Sequence, residues 1–172
     1  SPRIIDIGGG FSSTNVFDLG PVPSQICQAL DTHFPSGFQI IAEPGRYFAE
    51  HVVTLVTPVI GIKPHSITIS ESLYGALNCM LFDHATPEFS VLNSKTNSTK
   101  KMTMFGSTCD GGDTIYKQCE VPDDIACGQW IVWNRMGAYT SAATTSFNGI
   151  PFHRRQMMYL GLCGQKTPFL VQ

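Results

Sequence analysis

Apolar residues come along this chain in short bursts, and the spacing within a burst changes near residue 50. Arg3 to Ile7 is a short run that stops at Gly8-Gly9-Gly10. Ile26, Cys27, Leu30 and Phe34 then recur at near-helical spacing. The pattern predicts a strand, a polar loop holding Pro21 and Pro23, and a helix with Ser24 as N-cap that ends at Pro35-Ser36-Gly37. Gln39 to Ala42 reads as a second, buried strand that stops at Glu43-Pro44-Gly45. Two strands that end in glycine turns and are joined by a helix make a βαβ unit of a parallel sheet.

Beyond Glu50 the period becomes that of strands. Val52 to Ile62 is β-branched, Ser66 to Ser70 alternates with a period of two, and Leu77 to Phe82 is an apolar run read as another buried strand. Met102 to Phe105, Gln129 to Trp133 and His153 to Leu160 supply further strands, and polar Asn93 to Lys101 reads as a surface loop. The expectation is therefore α/β over residues 1–50 followed by an all-β sandwich or barrel over residues 51–172.

Composition narrows the partners. The chain has 172 residues, 42% hydrophobic and only 14% charged, enough for a packed core and too apolar for a disordered tail. Eleven basic against 13 acidic residues force no basic face, so nucleic acid is not expected as a partner. The run from Val52 to Ile62 is too short to span a bilayer and is interrupted by Pro58 and Gly61, so no membrane is expected either. Nor is a secretory signal expected. The six cysteines include no CxxC pair, which argues for reduced thiols in a cytoplasmic protein and against a thiolate metal site. Asn97-Ser98-Thr99 is then a chance glycosylation sequon.

Several short motifs could carry chemistry. Gly8, Gly9 and Gly10 directly follow a strand, where backbone N–H groups can approach an anion, although a plain flexible turn is equally consistent. Glu43-Pro44-Gly45-Arg46 follows the second strand, and Arg46 could fork onto a phosphate or merely form a surface ion pair. In Phe82-Asp83-His84 the carboxylate could bind an amine or cap a turn, and position alone assigns His84 no catalytic part. Cys109 lies in a glycine-rich loop beside Asp110 and Asp113, acids that favour a protonated thiol suited to proton donation. Tyr139, after a strand and a glycine, could donate its hydroxyl to a phosphate or sit in the core.

Taken in order, six motifs are specific. They are Asp6-Ile7-Gly8-Gly9-Gly10-Phe11, Ala42-Glu43-Pro44-Gly45-Arg46-Tyr47, Leu73-Tyr74-Gly75, Asp83-His84-Ala85, Gly106-Ser107-Thr108-Cys109-Asp110 and Asn134-Arg135-Met136-Gly137-Ala138-Tyr139. From about Ile4 to Asn148 the chain resembles the second half of ornithine decarboxylases, above all plant members. These are pyridoxal-phosphate enzymes of the alanine-racemase-like fold, a TIM-type barrel followed by a β-barrel domain. The resemblance implies an incomplete version of that fold. Residues 1–50 would be the last strands of the cofactor-binding TIM-type barrel, and residues 51–172 the C-terminal β-barrel domain.

The resemblance also implies roles. Gly8, Gly9, Gly10, Pro44, Gly45, Arg46 and Tyr139 would hold the phosphate of pyridoxal 5'-phosphate, and Glu43 would pair with its ring nitrogen. Phe82, Asp83 and Asp110 would contact the amino-acid substrate, and Cys109 would protonate the carbon that loses CO₂. Cys109 and Asp110 would serve the partner's site in a homodimer with shared active sites. The Asp83-His84-Ala85 pattern is similar to that of members preferring ornithine over lysine.

The sequence departs from the family at Phe82, usually Tyr, at Ser70-Glu71-Ser72, usually Asn-Asp-Gly, and at Ser107, commonly Pro. None of its six lysines stands in the family's Schiff-base motif. A fragment, inactive alone and pairing with a missing N-terminal half or an intact subunit, is therefore expected. The alternatives are a non-catalytic decarboxylase-like regulator, a lysine, arginine or diaminopimelate decarboxylase relative, and an unrelated β-barrel binding module.

Overall fold

The computed structural model describes residues 3–11, 18–34 and 36–151, together with the backbone of 157–159 and 169–171. The chain opens as the alternating pattern requires. Strand β1 (Ile4–Asp6) and strand β2 (Gln39–Ile41) pair in parallel, and helix α1 (Val22–His33) connects them. Ser24 is not the N-cap. The helix begins one turn earlier, behind Pro21, with a proline inside its first turn, and the Ser24 hydroxyl donates to the Pro21 carbonyl. Nor is the second strand buried. Ile4, Ile40 and Ile41 are all exposed, since among the described residues no third strand joins this two-stranded sheet.

After β2, helix α2 (Gly45–Ala49) runs into a single 3-10 turn, Glu50–Val52. The expected strand from Val52 therefore starts later, as β3 (Leu55–Lys63). Five further strands complete a six-stranded mixed sheet: β4 (Ser66–Ile69), β5 (Phe89–Val91), β6 (Thr99–Phe105), β7 (Thr114–Pro122) and β8 (Trp130–Trp133). Their spatial order is β5-β8-β3-β4-β6-β7, antiparallel except at β4–β6. Pro58 is tolerated inside β3 because the strand changes partners there: residues 55–58 pair with β8, and the pairing with β4 begins at Val59.

The core follows the period of two. Leu55 and Val59, Ile67 and Ile69, Met102 and Met104, and Ile131 and Trp133 all point inward. Trp133 is fully buried, and its Nε1 donates to the Thr57 hydroxyl at 2.9 Å. The sheet's two edges meet. Phe89 of β5 stacks on Tyr116 of β7 with ring centroids 5.9 Å apart, and the Tyr116 hydroxyl donates to the Pro87 carbonyl at 2.6 Å. The sheet is thus a nearly closed barrel, and burial pushes the Tyr116 phenol up to about 12.

Two expectations inside the sheet fail. Leu77 to Phe82 is no strand but a 3-10 turn (Ala76–Asn78) followed by helix α3 (Cys79–Phe82). A short apolar run reads the same in either state, and here side-chain hydrogen bonds to the backbone decide. The Glu71 carboxylate accepts from the Ser72 and Ala76 amides, and Asn78 Nδ2 donates to the Gly75 and Thr140 carbonyls. Asn93 to Lys101 is a loop only to Ser98, since β6 already starts at Thr99. Of the expected strand from His153 to Leu160, only Met157–Tyr159 lies within the described backbone, as β9 paired with β10 (Phe169–Val171); the rest is outside the described residues. Cys163 also lies outside them, and the other five cysteines are free thiols.

Candidate active site

The two parallel strands end side by side, and so do the turns that follow them. The Ile7 amide donates to the Ile41 carbonyl and the Glu43 amide to the Gly8 carbonyl, at 3.0 and 2.7 Å. Of the three glycines in the first turn only Gly9 is crowded: a Cβ there would stand 2.4 Å from the Glu43 carbonyl oxygen. Gly10 instead has a left-handed φ of +83° with open space around it. Pro44 then caps α2, and Gly45 places Arg46 in its first turn.

Arg46 is the hub. Its guanidinium lies over the Tyr139 ring, 5.1 Å from the centroid, and pairs with the Asp83 carboxylate. A Cβ at Gly45 would stand 3.7 Å from the Tyr139 hydroxyl. Gly10, Arg46 and Asp83 line one cavity of about 420 Å³, together with His84, Glu50 and Arg135. The cavity floor includes Cys79, whose thiol is pushed up by burial and by the nearby Asp83 charge.

Not every expected residue joins this cavity. Gly8, Gly9, Pro44, Gly45 and the exposed Tyr139 do not line it, Glu43 is exposed and does not line it either, and Phe82 is 69% exposed and also outside it. Asp83 follows helix α3 rather than a strand end. Cys109 and Asp110 sit elsewhere, on the loop between β6 and β7. There the Asp110 carboxylate accepts from the Tyr74 hydroxyl and the Gly112 amide, and Asn148 Nδ2 donates to Cys109 Sγ at 3.2 Å. The Tyr74 bond holds the Asp110 carboxyl below its usual range and pushes the Tyr74 phenol up. Phe147 stacks on Tyr74 at 4.0 Å.

The other loop acid is structural. Asp113 is fully buried, and its carboxylate accepts from the Leu73 amide and from the amide and hydroxyl of Thr108. Both acids are thus directed at donors other than the thiol. Sequence reasoning missed the parts played by Tyr74, Phe147 and Asn148 and the ion pair of Glu50 with Arg135. Tyr74 and Arg135 stand in motifs already singled out, but nothing in a linear pattern says what a side chain faces.

The chemistry of this cavity suits a phosphate ester. Its lining supplies the Arg46 guanidinium and the open left-handed Gly10, and the Tyr139 phenol packs on that guanidinium without itself lining the cavity. Among the described residues no group of His, Cys, Asp and Glu could hold a metal ion, and no helix is long and apolar enough to cross a membrane.

Comparison with known proteins bears on the same region. The family described as pyridoxal-dependent decarboxylase, C-terminal sheet domain, matches residues 16–137. The chain is 40% identical over 161 residues to the chloroplastic ornithine decarboxylase of Nicotiana glutinosa, covering 85% of this chain and 37% of that one. It is 36% identical over 169 residues to antizyme inhibitor 2 of Xenopus laevis, with 85% and 37% covered. In structure it is similar to the agmatine-bound arginine decarboxylase of Paramecium bursaria Chlorella virus. The TM-score is 0.77 at 34% identity, with 87% of this chain and 42% of that one covered. The chain thus spans well under half the length of these relatives.

Proposed function

Because the chain belongs to the pyridoxal-dependent decarboxylases and carries their C-terminal sheet domain, we propose that it forms part of an enzyme that converts L-ornithine to putrescine, a step in polyamine synthesis. The observation that carries this reading is the meeting of Gly10, Arg46 and Asp83 in one cavity, with Tyr139 packed on Arg46. Residues 1–50 are read as the end of the cofactor-binding barrel and residues 51–172 as the β-barrel domain, working in the cytoplasm.

The family is pyridoxal-dependent, and bound pyridoxal phosphate supplies an electron sink for the electron pair left when CO₂ departs. Arg46, Tyr139 and the amides of Gly8, Gly9 and Gly10 would hold the phosphate, flanked by Pro44 and Gly45. Glu43 would face the ring nitrogen. Asp83 would exchange its Arg46 partner for the distal ammonium of the substrate, beside Phe82. Asp110 would hold the same ammonium from the opposite side, and Cys109 Sγ would deliver a proton to the carbon that lost CO₂.

Cys109 and Asp110 belong to the Tyr74–Asn148 cluster and do not line the Arg46 cavity. A complete site therefore calls for two copies, each lending its β6–β7 loop to the other's cavity. Two other readings have specific support. Likeness to an antizyme inhibitor favours a non-catalytic regulator, and likeness to an arginine decarboxylase favours a different amino-acid substrate.

The test is CO₂ release from ornithine, lysine, arginine and diaminopimelate by the native gene product. We expect ornithine to be preferred and Cys109→Ala to lower turnover. Equal rates on all four substrates contradict the ornithine assignment. No release from any of them, with stimulation of a separate intact decarboxylase, supports the regulator.

A further inference from the structure

Glu50 occupies a position that the proposed chemistry leaves unused. It is 7% exposed, a carboxylate almost wholly removed from water, and it lines the cavity that holds Arg46. A buried carboxylate is stable only when paired and hydrogen-bonded. Its partner is Arg135, with Nη2 to Oε1 at 2.7 Å.

The backbone of Glu50 ties the same two elements together. Its N–H donates to the Arg46 carbonyl and closes helix α2, and its carbonyl accepts from the Gly137 amide at 3.1 Å. The Met136 amide donates to the Val53 carbonyl at 2.9 Å. Gly137 lies so close that a Cβ would stand 1.7 Å from the Ala49 carbonyl oxygen.

The segment held in this way is strained. Arg135 and Tyr139 both have left-handed backbone, with φ of 59° and 58°, although neither is glycine. Such residues persist where their surroundings over-determine them. Between them lie the contacts to the end of α2 and the turn that follows it, and at the far end Tyr139 meets the Arg46 guanidinium.

We infer that the Glu50–Arg135 ion pair is the latch that holds the Arg135–Tyr139 segment against helix α2, so that Tyr139 and Arg46 face one phosphate together. Glu50 and Arg135 are positioning residues: they act through Tyr139 and Arg46. The inference rests on the phosphate-seat reading of this cavity. It adds that the seat is assembled from two elements far apart in sequence, and that one charge pair secures the junction their backbone hydrogen bonds make.

The experiment compares the parent protein with Glu50→Gln, Arg135→Met and Arg135→Lys. Two readouts are taken: hydrogen exchange of the Met136 and Gly137 amides, and affinity for pyridoxamine phosphate. The pair is half open to solvent on the arginine side, so its loss should fall between a surface pair and a fully buried one. We expect both amides to exchange about tenfold faster and affinity to fall about tenfold in Glu50→Gln and Arg135→Met, with Arg135→Lys recovering most of each. Exchange at Ile67 and Met104, in the barrel core, should not change and certifies the fold.

Unchanged exchange at Met136 and Gly137 in both variants overturns the latch. Faster exchange with full affinity overturns its positioning role. A parent protein that binds no phosphate ester overturns the phosphate seat itself, a failure distinct from that of the latch.

Discussion

Replacing Gly9 by alanine tests how the two turns of the site are joined. A Cβ at Gly9 would lie 2.4 Å from the Glu43 carbonyl oxygen, so the turns must separate by at least about 0.6 Å to reach the 3.0 Å that real contacts respect. The obstacle is backbone, and it is held. The Glu43 amide donates to the Gly8 carbonyl at 2.7 Å, and the Glu43 carbonyl accepts from the Gly45 amide at 2.8 Å. Overpacking costs about 1–3 kcal/mol, and loss of one of these bonds about 1 kcal/mol more. We expect Gly9→Ala to destabilise the junction by about 2–4 kcal/mol. Hydrogen exchange of the Ile7 and Glu43 amides reads that opening directly. Urea unfolding followed by the fluorescence of Trp130 and Trp133 reads the barrel and should scarcely move. Protection of Ile7 and Glu43 within about 0.5 kcal/mol of the parent would refute the argument.

Other perturbations follow from the same geometry. Tyr74→Phe removes the main cause of the lowered Asp110 carboxyl, so the Asp110 titration followed by NMR should move up. In the parent that bond contributes stability present above about pH 4 and lost as pH falls through the folded value. In Tyr74→Phe this acid-side loss should shrink, and an unmoved Asp110 titration would refute the assignment. Asp83→Asn frees Arg46 from its partly buried partner and should raise affinity for a phosphate ester about threefold to fivefold, for an interaction worth about 1 kcal/mol. Equilibrium binding of pyridoxamine phosphate checks it, and weaker binding would contradict it. Thr57→Val leaves the buried Trp133 Nε1 without its acceptor and should cost about 1–3 kcal/mol in urea unfolding.

The barrel strands were legible because their inward residues alternate, as in Ile67 and Ile69 or Ile131 and Trp133, and a period of two fixes which residues share a face. The parallel pair at the start was legible from its glycine turns. Helix α3 was not, since its apolar run has no period of its own and is set by the backbone hydrogen bonds of the Glu71 and Asn78 side chains. The exposure of β2 was not, because burial depends on what packs above a strand and not on the strand. In the site, Arg46 and Gly10 could be named from their places after strands. The pairing of Arg46 with Asp83, and of Glu50 with Arg135, joins positions 37 and 85 residues apart and leaves no local trace.

The most direct test of the phosphate seat is equilibrium binding of pyridoxamine phosphate against pyridoxamine, which have no aldehyde to react with surface lysines. Arg46, Tyr139 and the Gly8–Gly10 turn predict saturable binding of the phosphate ester, at least tenfold weaker binding of the dephosphorylated compound, and loss of that preference in Arg46→Met. Equal binding of the two compounds, or a preference that survives Arg46→Met, would contradict the account.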